Sequence, residues 1–249
     1  MATTVLELST STQRLGIPSA NLATQAEIDW HGCLNFSPLF LGLSADEQSQ
    51  IASSAREVWY SQGETLFLQN DPVRHVFVVT QGVVKITQIT EDGKETLLRL
   101  ESSGGLLDDV IGSELPHLLT ARALQACRVL VWETSKFGAF TQRMTAIHRN
   151  AAVIMRTRLR ILQERFCDVA TRPVPQRLAR LVIHLAERVP GSLSPIELSR
   201  EDLAQMAGTS LFTVSRLLCA WADLNIVTVE RKAVMIEDLS RLLELTEAA

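Results

Sequence analysis

The chain has 249 residues, 46% of them hydrophobic and 21% charged, with a net charge of −4 and four cysteines. That length holds one large domain or two ordinary ones, and two are expected. The composition excludes a largely disordered chain, and the acidic balance excludes a generic polyanion binder, so any nucleic-acid contact has to come from cations placed locally. No apolar run is long enough to span a membrane, and the opening MATTVLELSTSTQRLGIPSA lacks the basic-then-apolar order of a secretory signal; a cytoplasmic protein without membrane contact is expected.

Residues 1–25 are rich in Ser and Thr with little periodicity and read as an N-terminal arm. From about Gln25 to Ser54 the pattern is helical with breaks at Gly32, Pro38 and Gly42, and Leu39, Phe40, Leu43 and Ile51 are placed to face a core. The character changes at residue 56. Short β-branched runs (57–60, 65–68, 76–80, 83–89, 95–100, 122–124 and 128–133) are separated by Gly63, Asp71-Pro72, Gln81-Gly82, Glu91-Asp92-Gly93 and Gly104-Gly105. Such spacing predicts an antiparallel β-roll or barrel, with a sensing domain over 26–135. The two histidines in this stretch, His75 and His117, form no HxH pair, which argues against a metalloenzyme of the cupin kind; no enzyme activity is expected.

From residue 136 to 170 a long helix takes over. Met155, Leu159, Leu162, Phe166 and Val169 step by four and three, the spacing of a coiled-coil seam, while Ile147, Ala151, Ile154 and Ile161 form a second stripe. One stripe is expected to pack on the roll and the other on a second copy of the chain, giving a homodimer. Pro173 and Pro175 end this helix, so Ala170 to Pro175 is the natural hinge to a last domain over 171–249, whose first helix is expected at 176–188.

The last domain carries the most specific signal. Ser199 and Asp202 have capping-box spacing, Leu203 and Met206 give the first helix an apolar face, and Gly208 ends it. Thr209 or Ser210 caps a second helix in which Val214, Leu217, Leu218 and Trp221 face the core and Leu211, Phe212, Thr213, Ser215 and Arg216 face outward. This is a helix-turn-helix, whose second helix enters the DNA major groove. Val227, Val229, Val234 and Ile236 then alternate about Glu230-Arg231-Lys232 as a hairpin wing would.

The order of these parts, with the stretches LAQMAGTSLFTVSRLL, QGETLFLQNDP, VFVVTQGVVKI and DGKETLLRL, resembles the cyclic-AMP receptor protein and fumarate-nitrate regulator (Crp/Fnr) superfamily of bacterial transcription factors over residues 30–245. The resemblance implies an α+β chain: an N-terminal jelly-roll-like, cyclic-nucleotide-binding-like β-roll, a long dimerisation helix over 136–170, and a C-terminal winged helix-turn-helix. It implies an effector-responsive homodimer that binds double-stranded DNA at a two-fold-symmetric promoter site, as activator or repressor, and that contacts RNA polymerase if it activates. The alternative is a scaffold or partner-binding protein that keeps the fold without reading DNA.

Two departures from the family pattern stand out. Leu211 and Phe212 occupy the place of an Arg-Glu pair that opens the family's recognition helix. Neither can make the guanine or cytosine contacts of that pair, so a different operator is expected. Arg216 is then the candidate for a base-specific hydrogen bond, Thr209, Ser210, Thr213 and Ser215 for phosphate or base contacts, and Arg231 and Lys232 for phosphates at the wing tip; a competing reading packs Leu211 and Phe212 into the domain's own core. At the effector site the family holds the ribose with a Gly-Glu pair and the cyclic phosphate with an Arg-Ser pair, where this chain has Asp108-Asp109 and His117-Leu118. A buried phosphate needs a fixed cation and donors, so cyclic AMP is not expected. An iron-sulfur cluster is not expected either, because Cys33 stands alone near the N-terminus and Cys127, Cys167 and Cys219 are scattered. Haem or a nitrogen oxide stays open as the effector signal, with His31, Cys33, His75, His117 and His148 each able in principle to ligate iron. The effector is otherwise unknown.

Overall fold

The computed structural model describes residues 37–108, 115–187 and 195–247. The expected N-terminal arm, with His31 and Cys33, and Asp109 of the effector set lie outside the described residues.

A single 3-10 turn, Pro38–Phe40, leads into helix α1, Ala45–Ser54, which starts on a complete capping box between Ser44 and Glu47. Seven strands follow: β1 (Arg56–Tyr60), β2 (Thr65–Phe67), β3 (His75–Gln81), β4 (Val84–Ile89), β5 (Glu95–Glu101), β6 (Thr120–Ala123) and β7 (Cys127–Glu133). They form two antiparallel sheets, ordered β1-β7-β3 and β2-β6-β4-β5. Strand alternation explains how the roll holds two cores. Phe77 and Val79 of β3 and Val129 and Val131 of β7 point between the sheets, where they meet Val58, Tyr60, Phe67, Val84 and Ile86. Val76, Val78, Leu130 and Trp132 point to the other face and bury against Leu39, Phe40, Ile51 and Phe137. The Trp132 indole donates to the Ile51 carbonyl at 2.9 Å, so the one polar atom of that side chain is satisfied. Gly82 makes the β3–β4 turn at φ 85°, and a Cβ there would lie 2.8 Å from the Cβ of Cys127, so no other residue fits.

The helical stretch expected over 136–170 is two helices. Helix α2 is Thr134–Arg143 and helix α3 is Thr145–Thr171, with Met144 between them at φ −114°, ψ 86°. No glycine or proline marks this break. Met144 is itself buried, and the turn there lets Phe137 before it and Ile147 after it reach the same cluster. Asn150, also buried, donates to the carbonyls of Leu39 (2.9 Å) and Leu41 (2.8 Å) and so fastens α3 to the 3-10 turn. Of the two stripes on α3, Ala151 and Ile154 pack against this core, whereas Leu159, Leu162, Phe166 and Val169 are exposed. Met155, which shares their stripe, is half-buried and also packs on the inner cluster. Helical rotation brings it round to the roll because an unsupercoiled helix turns 100° per residue and the heptad stripe drifts across its face.

Helix α4, Val174–Ala186, begins earlier than position 176, with Pro175 in its first turn, where the missing N–H costs nothing. Helices α5 (Arg200–Met206) and α6 (Leu211–Asp223), strands β8 (Val227–Val229) and β9 (Val234–Ile236), and helix α7 (Leu239–Glu247) complete the chain. The final helix starts on Asp238, whose carboxylate accepts from the Arg241 N–H at 3.0 Å; it packs on α4 and buries Leu242. This domain does not stand apart from the roll. A bulge between Ile86 and Thr87 puts Leu97 and Leu100 of β5 on one outward face, and both join the core of Leu178, Val182, Leu203 and Leu218.

Candidate nucleic-acid interface and effector cavity

The reading head is built by local rules that close on each other. Ser199 Oγ accepts from the Asp202 N–H (3.0 Å) while Asp202 returns a carboxylate oxygen to the Ser199 N–H (3.2 Å), so two orphan donors at the start of α5 are satisfied. Gly208 takes φ 60° to reverse the chain, and the Thr209 N–H donates to the Ala204 carbonyl at 2.9 Å, which occupies Thr209 in the turn. Ser210 is therefore the cap of α6: its hydroxyl accepts from the Thr213 N–H at 3.1 Å and lies 2.9 Å from the Thr213 hydroxyl. Val214, Leu218 and Trp221 turn inward and are buried.

The outward face of α6 is apolar at its start and cationic one turn later. Phe212 is 76% exposed and Leu211 50%, so the two do not pack into the domain's own core. Arg216 is exposed four residues beyond Phe212, and Ser215 is half-buried. Beside them, β8 and β9 pair Val227 with Ile236 and Val229 with Val234, and the Glu230 N–H donates to the Ala233 carbonyl at 2.8 Å to close the turn. That turn carries Arg231 and Lys232 at its exposed tip. Arg177 is committed to the turn between α5 and α6: its guanidinium donates to the carbonyls of Ala207 (2.6 Å), Gly208 (2.8 Å) and Arg172 (3.2 Å) and holds that turn. Arg180 likewise pairs with Asp168 at 3.0 Å. Placing an arginine on these carbonyls depends on two segments thirty residues apart, and no local motif announces it.

A cavity of about 550 Å³ lies between β5, the loop after it, and α3. Its walls are mainly apolar, from Leu98, Leu100, Leu118, Ile154, Leu159 and Leu162, with Arg158, Arg165 and His184 around it. Leu118 of the expected effector set is in this wall. Asp108 and His117 are not: the structure turns them toward each other, with Asp108 Oδ2 2.6 Å from His117 Nδ1 and both side chains buried. The imidazole also stacks on Phe67 at 3.9 Å between ring centres. A carboxylate that deep needs polar partners, and this ring is one of them. The pair therefore belongs to the roll's interior. His75 lies 3.3 Å from an Arg56 nitrogen, and His148 is on the surface; the described residues contain no group of three or more His, Cys, Asp or Glu able to hold a metal ion. Burial pushes the Cys127 thiol up to about 11, with the Glu64 charge adding to it, so it is a packing residue at neutral pH.

One cluster at the cavity was not legible in the sequence. Glu101 accepts from Arg99 Nε at 2.9 Å and from Arg158 at 2.8 Å, with all three side chains largely buried. Arg99 also donates to the Leu107 carbonyl (3.0 Å), and Arg158 to those of Asp108 (3.0 Å) and Leu106. Arg165, two turns on, donates to the Leu98 carbonyl exposed by the bulge in β5. The long helix is thus fastened through charged side chains to the strand and loop that wall the cavity.

Residues 57–144 match the family described as cyclic nucleotide-binding domain, and residues 176–245 match the Crp-like helix-turn-helix domain. Among curated proteins, the chain is 28% identical over 211 residues to the cyclic AMP receptor protein of Thermus thermophilus, covering 82% of this chain and 97% of that one. It is 24% identical over 210 residues to the CRP-like cAMP-activated global transcriptional regulator of Mycobacterium tuberculosis, covering 82% and 94%. Among solved structures it shares the fold of FixK2 from Bradyrhizobium japonicum (22% identity, TM-score 0.67, 78% of this chain and 98% of that one). It also shares the fold of the c-di-GMP responsive global regulator CLP of Xanthomonas campestris (18% identity, TM-score 0.66, 78% and 99%). No helix among the described residues is long and apolar enough to cross a membrane.

Proposed function

We propose, from the premise that this chain belongs to the Crp/Fnr superfamily of transcription regulators, that it is a homodimer which reads a two-fold-symmetric DNA site and changes its reading geometry when a small molecule enters the cavity beside the long helix. DNA-binding transcription regulation is the coarse function of the Crp/Fnr type. The observation that carries the finer reading is the face of α6. A capped thirteen-residue helix presents Phe212 and Arg216 to solvent beside a hairpin bearing Arg231 and Lys232, with Thr209, Ser210, Leu211, Thr213 and Ser215 around its first turn. Cations at those few places supply phosphate contacts despite a net charge of −4.

The dimer reading is supported by the row Leu159, Leu162, Phe166 and Val169, which is exposed among the described residues and has the spacing of a two-stranded seam. The same row borders the cavity at Leu159 and Leu162, so a partner helix would close the open side of the effector space. An effector held there would act on α3 and on β5, the strand that touches the reading head through Leu97 and Leu100. The chemistry of the walls favours a largely apolar effector, because Arg158 and Arg165 are already engaged with Glu101 and backbone carbonyls. Cyclic AMP is a poor fit, because the cavity's arginines are already engaged with Glu101 and backbone carbonyls and His117-Leu118 stands where the family places its phosphate-holding Arg-Ser pair.

A gel shift against a random duplex library in low salt tests this reading. Retarded DNA enriched in inverted repeats is the expected result; no retarded species in any effector state would leave the alternative, a scaffold that does not read DNA.

A further inference from the structure

Phe212 is the most exposed large hydrophobic side chain among the described residues. Together with Leu211 it makes an apolar tip on the first turn of α6, bounded by the capping hydroxyls of Ser210 and Thr213 on one side and by Arg216 one turn along. An aromatic ring standing in water at the leading end of a helix is costly unless a partner covers it. The partner is constrained by what surrounds the ring: Arg216 on the same face at i+4, and Arg231 and Lys232 across the hairpin. Those charges complement DNA. Within the major groove only one apolar group is on offer, the C5-methyl of a pyrimidine.

We propose that Phe212, assisted by Leu211, is a methyl reader: it selects the C5-methyl group itself, so thymine and 5-methylcytosine are equivalent to it and unmethylated cytosine is rejected. This rests on the DNA-reading function above and specifies its ligand. Neither side chain has a hydrogen-bonding group, so neither senses whether position 4 of the pyrimidine carries an acceptor oxygen, as in thymine, or a donor amine, as in cytosine. The purine opposite is invisible to them for the same reason. Arg216 supplies the hydrogen-bonded half of the readout through a guanine O6 and N7, and its one-turn offset from Phe212 puts that guanine within a step or two of the methyl-bearing base.

The experiment starts from the duplex enriched from a random library. Each thymine in the half-sites is replaced in turn by deoxyuridine, which differs by the methyl alone, and affinity is read by fluorescence anisotropy. Burial of one methyl group is worth about 0.8 kcal/mol, so removing it at the read position should weaken binding about fourfold, and about fifteenfold when both half-sites are changed. Uracil elsewhere should be neutral. Replacing the sensitive T·A pair by C·G should weaken binding at least as much, and replacing it by 5-methyl-dC·dG should restore affinity to within twofold. Phe212→Ala should bind the thymine and uracil duplexes equally while keeping its helical circular dichroism. Tolerance of uracil at every position, a 5-methylcytosine duplex that behaves like the unmethylated one, or undiminished discrimination in Phe212→Ala would each overturn the inference while DNA reading survives. A library that yields no enriched duplex would instead overturn DNA reading itself, and the methyl reader with it.

Discussion

Replacing Phe166 with alanine probes the seam on which the dimer depends. The ring is 74% exposed in the isolated chain. A phenylalanine side chain buries on the order of 200 Å² when fully covered, so about 150 Å² of this one stands in water, worth about 3.5 kcal/mol at ~25 cal/mol per Å². A two-fold axis counts every substitution twice, and a helix pair covers about half of each outer side chain, which brings the expected loss to about 3–4 kcal/mol per dimer. That is a several-hundredfold rise in the dimer dissociation constant, measurable by sedimentation equilibrium across a dilution series. Because Phe166 touches no core cluster, the helical circular dichroism should be retained. Leu239→Ala, which removes another exposed apolar side chain far along the sequence on α7, is the control and should leave the constant unchanged. An unchanged constant in Phe166→Ala, or an equal loss in Leu239→Ala, would refute the seam.

Three further outcomes are expected. Arg216→Ala should lower preference for the enriched site over random DNA by about 1–3 kcal/mol and leave the dimer intact; equal losses on both DNAs in competition titrations would make Arg216 a phosphate contact. Glu101→Gln leaves Arg99 and Arg158 without their carboxylate in a largely buried setting, and should lower unfolding stability by about 3 kcal/mol, seen as a lower urea midpoint at unchanged slope. A change below about 1 kcal/mol would show that the cluster does not fasten α3 to the roll. Burial, and then the Arg56 charge, hold His75 below its ordinary value of 6.5. A histidine with a depressed pKa binds its proton more tightly unfolded, so its contribution to stability is complete above about 6.5 and falls away as pH drops toward the folded pKa. Urea midpoints for the protein and for His75→Gln should therefore diverge only on the acid side; parallel curves would contradict this.

How much of this could be read without the structure depended on the range of the physical rule involved. Ser199 with Asp202 announces a helix start because a capping box closes within three residues, and the strand alternation over 76–80 and 128–133 announces two faces because the pleat repeats every two. The exposed row at Leu159, Leu162 and Phe166 follows from spacing along one helix, whereas the half-burial of Met155 depends on where that row drifts onto the roll. The break at Met144 has no local marker; it is set by the burial of Phe137 and Ile147 in one cluster. The least legible feature was the cavity wall. Glu101 and Arg158 are 57 residues apart and meet only after β5 and α3 have packed, and the resemblance that offers Asp108 and His117 as effector residues says nothing of their contact with each other. Function at the reading head was legible because recognition by one helix is itself local; effector identity depends on contacts between elements.

The central claim is that paired reading heads grip one DNA site about a dyad, and hydroxyl-radical footprinting of the enriched duplex tests it most directly. Two protected patches on each strand, related by a two-fold axis and centred about one helical turn apart, are the predicted result; a single asymmetric patch, or uniform cleavage at protein concentrations that saturate the gel shift, would contradict it.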